Sequence, residues 1–326
     1  MAFKPYPIVV GPILKEKVWG GKSLEKYTGM TGKNIGEAWM LADQSENRSV
    51  INNGAYRGMT ISDLINRFPA GVLGKKLVDK YGKKFPLLFK YLDTNERISI
   101  QVHPDDAYAK KRGYPAGKTE MWYVLSNKFR SSLLVGFKSR QDKKSLERMV
   151  ANGTLASNLK KYRPKKGDCF FIPAGTVHTI GKGNVIFEVQ QNSDVTYRIY
   201  DWGRHNLAED RHLNIQDAVA SVDFNSPGGK IEARAKKYAP GFRVRPLAHC
   251  GYFLCDEVTV EKELKYWYNK NLPLVLTVAE GEVSIALSDG TETRYKKGGI
   301  VFIPYGLKDI LFKIKDKTRI IVTQAR

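Results

Sequence analysis

The sequence predicts a mainly β protein built from two small jelly-roll β-barrels, with a small helical segment inserted between strands. Two observations predict this fold class. Short apolar runs alternate with polar residues and are separated by turns rich in Gly and Pro, as in sandwiches and barrels. One strand-and-turn segment also recurs later in the chain. A length of 326 residues favours two domains over one.

The predicted elements follow in order along the chain. Residues 1–58 favour short strands and turns. A helical insertion is predicted near 60–80, with Thr60 as its N-cap and with Gly71 and Gly74 dividing it. From residue 86 onward strands dominate, apart from a helix or turn at 105–112 and a second helical insertion near 141–160. Strands are predicted at 98–103, 120–124, 168–173, 185–191 and 195–202.

The recurring segment defines the predicted domains. Residues 165–175 (KKGDCFFIPAG) resemble residues 296–306 (KKGGIVFIPYG), and each follows an apolar region, at 123–137 and at 274–287. The sequence pattern therefore indicates two copies of one small β-barrel. We predict a first domain at 1–235 and a smaller C-terminal barrel at 236–326, with the boundary in the Pro- and Gly-containing stretch 226–241.

Side chains of metal-ligand type lie in neighbouring predicted strands. The period of two in 98–103 (ISIQVH) puts Gln101 and His103 on one face, and Glu120 and His178 lie in or beside later strands. Imidazole and carboxylate are the groups that bind zinc and related divalent ions. Two histidines together with Glu120 favour a metal site over two hydrogen-bonded core histidines. Gln101 is either a ligand or a residue that orients the ligands.

The second barrel is predicted to bind no metal. The position that corresponds to His178 in the second copy of the repeat is Asp309, and no histidine follows His249. The side-chain types that would complete a site like that of the first barrel are therefore missing.

The formal net charge of +21 reflects 54 lysines and arginines against 33 acidic residues, and the lysines are scattered along the chain, some of them in pairs. No run of five basic residues and no nucleic-acid-binding motif occurs, so we predict a solvated surface that attracts a small anionic substrate, and no nucleic-acid partner. No apolar run is long enough to span a membrane. Three cysteines without a spaced framework, and the lack of a signal-peptide core, favour reduced thiols and a cytoplasmic location.

Several motifs in this chain resemble those of a known enzyme family. Residues 167–178 fit the cupin pattern Gly-Asp-x-x-Phe-Ile-Pro-Ala-Gly-x-x-His. More specific segments resemble type I mannose-6-phosphate isomerases, in their short bacterial form, over about residues 10–205. These segments are VWGG at 18–21, GEAW at 36–39, FPLLFKYLD at 85–93, QVHPD at 101–105, KTEMW at 118–122 and PAGTVH at 173–178.

The resemblance implies an aldose–ketose isomerase that interconverts mannose 6-phosphate and fructose 6-phosphate through a zinc-stabilised enediol(ate) intermediate. It implies one Zn²⁺ per chain, held by Gln101, His103, Glu120 and His178. The catalytic residues that it implies are Arg198, Glu188 and Lys118, and the substrate-binding residues are Lys90, Lys118 and Arg198. Eukaryotic members differ after Arg198 and carry a large helical insertion, so the phosphate-binding residues stay unassigned.

These side chains suit the chemistry, and each has an alternative. A guanidinium at Arg198 can stabilise negative oxygen, and a carboxylate at Glu188 can move a proton if its pKa lies near the working pH. Alternatively, Glu188 and Arg198 form a structural ion pair. Lys90 and Lys118 can be merely solvated, as most lysines are.

Two rival functions share the predicted fold. A metal-dependent cupin dioxygenase usually has His-x-His in its first motif, whereas Gln101 here favours redox-inert zinc over iron. A non-catalytic sugar-binding cupin is not indicated, because every ligand type and Arg198 are retained. The expected partner is a small sugar phosphate, with no nucleic acid and no membrane, and the expected state is a monomer or a weak homo-oligomer.

Overall fold

Two jelly-roll barrels form the protein in the computed structural model, which describes residues 3–204, 211–268 and 272–326. The predicted mainly β fold class is confirmed. Within these ranges, no helix is long and apolar enough to cross a bilayer.

Fourteen of the described strands lie in the N-terminal part of the chain, twelve in the two sheets of the first barrel and two in a separate two-stranded sheet. They are β1 (Ile13–Gly21), β2 (Ile35–Leu41), β3 (Asp43–Gln44), β4 (Asn47–Arg48), β5 (Leu87–Thr94), β6 (Ile100–Val102), β7 (Glu120–Asn127), β8 (Leu133–Phe137), β9 (Leu159–Tyr162), β10 (Cys169–Ile172), β11 (His178–Ile180), β12 (Asn184–Gln191), β13 (Tyr197–Tyr200) and β14 (Gly229–Lys230). The helices are α1 (Glu25–Thr28), α2 (Ile61–Arg67), α3 (Pro69–Leu73), α4 (Lys75–Tyr81), α5 (Asp106–Lys111), α6 (Lys143–Ala151), α7 (Leu155–Asn158) and α8 (Ile215–Ser221), with a 3₁₀ turn at Gly54–Tyr56.

The second barrel contains the remaining described strands. They are β15 (Lys236–Ala239), β16 (Phe242–His249), β17 (Phe253–Val260), β18 (Leu264–Tyr268), β19 (Leu274–Glu280), β20 (Glu282–Ala286), β21 (Glu292–Lys296), β22 (Ile300–Ile303), β23 (Ile310–Ile314) and β24 (Thr318–Ala325).

The two barrels have the same strand order. The first has sheets β1-β2-β5-β12-β7-β10-β14 and β13-β6-β11-β8-β9, and the second has β15-β16-β17-β24-β19-β22 and β18-β23-β20-β21. Taken in chain order, β15 to β24 correspond one to one with ten strands of the first barrel. The sequence repeat lies on β10 and β22, which have equivalent places beside β7 and β19; β22 ends its sheet, whereas β14 pairs with the outer side of β10. The internal repeat is therefore visible in the topology as well as in the sequence.

The two helical insertions lie close to their predicted positions. Thr60 caps α2 by accepting a hydrogen bond from the Asp63 backbone N–H, and Asp142 caps α6 in the same way. Gly74, with φ of 78°, separates α3 from α4. The prediction that Gly71 also divides the segment was wrong, because Gly71 lies inside α3. The prediction of helix up to residue 160 was wrong at its end, because Leu159–Tyr162 forms β9. This segment gains backbone hydrogen bonds by pairing with β8. A local sequence pattern cannot predict that pairing.

Apolar side chains fill both barrels and the contact between them. The inner side of the first barrel packs around Trp122, Val124 and Phe170. A second cluster joins the outer face of its large sheet, through Tyr91 and Tyr123, to side chains of the C-terminal barrel. The interior of the C-terminal barrel is itself filled, by residues that include Leu276, Val283, Ile285, Val301, Ile303 and Ile310.

A small polar cluster lies in this contact between the barrels. The Tyr123 hydroxyl donates to Glu257 Oε2 at 2.5 Å, and Arg245 forms an ion pair with the same carboxylate at 3.0 Å. Arg245 also donates to the Gly167 carbonyl at 2.7 Å, in the loop before β10. Glu257 therefore holds a cation of one barrel against the backbone of the other.

Glu257→Ala is expected to destabilise the protein by roughly 3 kcal/mol, because it leaves a largely buried guanidinium and hydroxyl without their acceptor. The matched control is Glu261→Ala, which breaks the exposed ion pair with Arg243 and should cost about 1 kcal/mol or less. Urea unfolding followed by tryptophan fluorescence measures both effects. Equal shifts of the unfolding midpoint for the two variants would contradict a role for Glu257 in holding the barrels together.

Candidate metal centre and active site

The candidate site lies between two rows of side chains on facing sheets of the first barrel. In the five-stranded sheet, Arg198 of β13, Gln101 of β6 and His178 of β11 are direct neighbours across adjacent strands. In the seven-stranded sheet, Glu188 of β12 lies between Lys90 of β5 and Trp122 of β7. Antiparallel pairing brings such neighbours close together although they are far apart in sequence.

Three potential metal ligands converge in the interior. The ligand atoms of His103, Glu120 and His178 all lie within 4.8 Å of one another. Both histidine Nε2 atoms lie 3.5 Å from a Glu120 carboxylate oxygen, and all three side chains are buried. The Gln101 amide lies 3.2 Å from His178 Nε2, so it borders the same point. Glu120 comes from the seven-stranded sheet, Gln101 and His178 come from the five-stranded sheet, and His103 directly follows β6.

The polar atoms at this point fit a divalent cation. His103 Nε2 and both Glu120 oxygens are buried without a hydrogen-bond partner among the described residues. The opposite ring nitrogens face backbone carbonyls: His103 Nδ1 lies 2.9 Å from Val195 O, and His178 Nδ1 lies 2.8 Å from Thr176 O. When Nδ1 donates to a carbonyl, the lone pair of Nε2 is left for a metal. The site therefore has the orientation and the unmet polar atoms that metal ligands require.

Charge and burial put these side chains in the forms that bind metal. Burial and the nearby Lys118 lower the pKa of His103 to about 3, and burial also lowers the pKa of His178, so both imidazoles are neutral. Burial raises the pKa of Glu120, but Lys118 and His103 more than offset it and hold that pKa well below its ordinary value. Neutral imidazole and ionised carboxylate are the metal-binding forms.

Two glycines set the turns that carry these ligands. Gly175 has φ of 85°, and a Cβ there would lie 2.8 Å from the Asp223 backbone nitrogen. Its N–H donates to the His103 carbonyl at 2.8 Å, which ties the turn before His178 to β6. A Cβ on Gly117 would lie 2.5 Å from the Asp105 carbonyl carbon, just before Lys118. Only glycine fits these close backbone approaches.

A cavity of about 420 Å³ opens beside the candidate metal ligands. Five of the predicted site residues line it, namely Lys90, Gln101, Lys118, Glu188 and Arg198. Arg198 lines the cavity while its strand neighbours Tyr197 and Ile199 are packed in the core behind it, because successive side chains of a strand point to opposite faces. The structure thus brings all eight predicted site residues to one region.

Glu188 is a buried carboxyl at the wall of this cavity. It accepts a hydrogen bond from Trp122 Nε1 at 2.9 Å. Burial and the negative charge of Glu120 raise its pKa to about 7, against the lowering effect of Lys118 and Lys90. A carboxyl with a pKa near neutrality can both take and give a proton, which suits general acid–base chemistry.

The ammonium group of Lys90 is engaged by two carboxylates. It lies 2.7 Å from Asp194 Oδ1 and 3.3 Å from Glu37 Oε2, and it stands over the Trp39 ring at 4.6 Å. Burial lowers the pKa of Lys90, but Asp194 and Glu37 more than offset this and raise it above its ordinary value. Lys118 differs, because its ammonium lies 3.3 Å from Glu120 itself.

Sequence reasoning missed several residues of the cavity. Glu37 belongs to the GEAW motif and Asp194 lies four positions before Arg198, within the region of resemblance, but neither was given a role. Arg211 also lines the cavity and is held by two hydrogen bonds to Asp201. It lies beyond the matched region, so no motif could have found it. Further lining residues without a predicted role are Lys17, Trp19, Ser99 and Tyr114.

The C-terminal barrel is expected to contain no bound metal. Its interior is apolar, and within the described residues the cluster of possible ligands found is His103, Glu120 and His178. Anomalous scattering from crystals of the zinc-loaded protein tests this expectation. The peak in the first barrel is the internal control, and a second peak within residues 242–326 would refute the prediction.

Comparisons with known proteins place the chain among related sequences. Residues 9–131 match the family model described as phosphomannose isomerase type I, catalytic domain. Mannose-6-phosphate isomerase ManA of Bacillus subtilis is 32% identical over 97% of this chain and 98% of its own length. Mannose-6-phosphate isomerase of Streptococcus mutans is 31% identical over 94% of this chain and 95% of its own length.

Solved structures show the same fold. The crystal structure of the mannose 6-phosphate isomerase from Bacillus subtilis has a TM-score of 0.86 at 30% identity, covering 98% of this chain and 99% of that one. A putative mannosephosphate isomerase from Archaeoglobus fulgidus has a TM-score of 0.78 at 19% identity over the full length of both chains, which is evidence of fold alone.

The fold and the buried ligand cluster define a cupin protein with a candidate metal site. Near-full-length identity to its relatives specifies the family further. The chain belongs to the type I mannose-6-phosphate isomerases.

Proposed function

We propose that this protein interconverts mannose 6-phosphate and fructose 6-phosphate by moving a hydrogen between C1 and C2 of the open-chain sugar. The observation that carries the proposal is the buried His103, Glu120 and His178 cluster, which lies beside a cavity that Lys118 and Arg198 line. This is an aldose–ketose isomerase, and its substrate is a sugar phosphate. Its relatives of similar length carry the same activity in their names.

The metal of this site is proposed to be one Zn²⁺ per chain, held by Gln101, His103, Glu120 and His178. Two neutral imidazoles and a carboxylate are a donor set typical of zinc. The Gln101 amide fits a fourth position, because rotation of its terminal group exchanges oxygen for nitrogen at the point next to His178. When bound, zinc supplies positive charge beside the sugar oxygens and so favours the enediol(ate).

Three side chains are proposed to act on the sugar itself. Glu188, with its pKa near 7, takes the proton from one carbon and returns it to the other. Arg198 donates hydrogen bonds to the oxygens where negative charge develops. Lys118, beside Glu120, adds a second positive charge on the same side of the cavity. Lys90 is proposed to contact substrate from within its pairs with Asp194 and Glu37.

The rest of the molecule is proposed to support this site. The equal strand order supports a division into a catalytic metal-binding domain at 1–235 and a metal-free barrel at 236–326. A monomer or weak homo-oligomer is proposed. The three cysteines, Cys169, Cys250 and Cys255, are all free thiols, which supports a cytoplasmic location.

A coupled assay tests the proposed function on the purified protein. Fructose 6-phosphate formed from mannose 6-phosphate is followed before chelation, after chelation and after Zn²⁺ is restored, with metal content measured in each sample. We expect turnover to be lost with the metal and to return with it. Protein that contains one zinc per chain but does not convert mannose 6-phosphate would overturn the proposal.

A further inference from the structure

Two adjoining cavities on the outside of the first barrel are lined by cations. The first, of about 350 Å³, includes Arg97, Lys138 and Lys161 among its lining residues. The second, of about 510 Å³, lies between the β7–β8 turn and the β9–β10 loop. Its cations are Lys128, Arg130, Lys161, Arg163 and Lys165. Lys161 lines both cavities, so we treat them as one basic groove that passes along the edge strand β9.

The basic groove has seven cations and no carboxylate among its lining residues. All seven cations are exposed, and none forms an ion pair with a carboxylate of the described part of the chain. The acidic residues that border the groove are already paired. Glu96 is next to Arg97 in the chain and forms an ion pair with Lys182. Glu280 forms an ion pair at 3.3 Å with Lys166, which follows Lys165 in the chain. The positive charge of the groove is therefore not neutralised by the protein itself.

Aromatic rings accompany these cations. Phe129 is 90% exposed at the tip of the β7–β8 turn, between Lys128 and Arg130, and the Arg130 guanidinium lies 5.3 Å from its ring centre. At the other end of the groove the Arg97 guanidinium lies 3.8 Å from the centre of the Trp202 ring. Phe129 therefore presents an open ring face beside the cations of the groove.

Although the sequence alone predicts no nucleic-acid partner, we propose that the basic groove binds single-stranded nucleic acid, with phosphates along the cations and a base stacked on Phe129. The proposed isomerase activity does not use this groove, because none of the seven cations lines the candidate active-site cavity. Single-stranded nucleic acid is bound by positively charged grooves with exposed aromatic side chains, which is the combination present here.

Other anionic partners fit these features less well. A small phosphorylated molecule would neutralise only part of a groove with seven cations and two separate aromatic contacts. An anionic membrane would meet a concave surface with one exposed phenyl ring, which offers little apolar area for insertion. A polyanion without bases, such as polyphosphate, would use the cations but leave Phe129 without a function.

The charge of the groove is tested with a fluorescein-labelled 12-nucleotide RNA of mixed sequence, titrated with the full-length protein at several NaCl concentrations. For single strands, each phosphate contact contributes about 0.7 to the slope of log affinity against log salt concentration. Seven cations can therefore give a slope of at most about 5. We expect Arg130→Glu with Arg163→Glu to lower this slope by about one or more and the affinity at 100 mM NaCl by about tenfold or more. Turnover of mannose 6-phosphate should not change.

The matched control is Lys83→Glu with Lys84→Glu, which changes the net charge equally. Both lysines are exposed, lie in the loop between α4 and β5, and line neither cavity of the groove. This control should retain affinity within about twofold of the unchanged protein. Equal losses for the two double variants would overturn the proposal, since binding would then depend on net charge alone.

The aromatic contact separates nucleic acid from other polyanions. Phe129→Ala should weaken binding of the RNA by about fivefold or more, as expected for loss of one stacked base, and should leave binding of polyphosphate of similar length unchanged. Phe129→Trp should retain RNA affinity. If Phe129→Ala has no effect on RNA, or if polyphosphate competes as well as RNA at equal phosphate concentration, the partner is not nucleic acid and the proposal fails.

Discussion

His178→Ala is expected to yield a protein that binds no divalent ion and has lost at least about a hundredfold in turnover of mannose 6-phosphate. His178 offers Nε2 at 3.5 Å from Glu120, while its other ring nitrogen is fixed by the Thr176 carbonyl. Alanine removes one of the two imidazoles and leaves the Glu120 charge buried with fewer partners. Metal content by mass spectrometry and turnover by the coupled assay measure the two losses separately.

The control for this experiment is His249→Ala. His249 is exposed on β16 and pairs with Asp256 at 2.8 Å, far from the candidate ligands in the fold. It should keep one metal per chain and normal turnover. Circular dichroism at several temperatures checks that His178→Ala remains folded. A folded His178→Ala protein with full activity and no metal would refute the metal-dependent function, and one with a full metal complement would refute His178 as a ligand.

Arg198→Lys is expected to lower kcat by at least about a hundredfold with metal content unchanged. Arg198 neighbours Gln101 across β13 and β6 and lines the cavity, so its head can reach the substrate oxygens. Lysine keeps the positive charge but loses the planar pair of donors that arginine offers. Because charge develops on these oxygens mainly in the transition state, the loss should fall on kcat more than on KM.

Arg243→Lys provides the same substitution at an exposed residue of the second barrel, where Arg243 pairs with Glu261. It should leave kcat, KM and metal content as they are. If Arg198→Lys keeps near-normal turnover, or if it loses its metal, Arg198 has a structural role. In that case its relation to Glu188, as a structural ion pair, would have to be tested by the double variant.

Much of the fold could be predicted because its signals are local. The alternation in 98–103 predicted that the side chains of Gln101 and His103 point to the same side of the strand. In the structure Gln101 lines the cavity, and His103 lies next to Glu120. Thr60 and Gly74 marked a helix start and a helix break because capping and positive φ depend on the residue itself. The repeat of 165–175 at 296–306 predicted a second barrel, and the equal strand order agrees with it.

Other features depend on which strands pair, and no local pattern reports that. Leu159–Tyr162 forms a strand because its backbone pairs with the edge of β8. The ammonium of Lys90 meets Asp194 and Glu37 only because β2, β5 and β12 are adjacent, so its pairing could not be inferred from its motif. The raised pKa of Glu188 likewise follows from burial beside Glu120, which lies in the neighbouring strand β7.

By itself, the sequence determined the strands, the faces of their side chains and the family, since periodicity, caps and motifs are written in short segments. Only the tertiary structure decided which distant side chains share one space. It brought Glu120 of one sheet to the histidines of the other, and it gathered cations from 97, 128–130, 138 and 161–165 into one groove although no basic run exists in the chain. The physical reason is that interactions across sheets and loops follow from strand pairing, and strand pairing is a property of the whole fold.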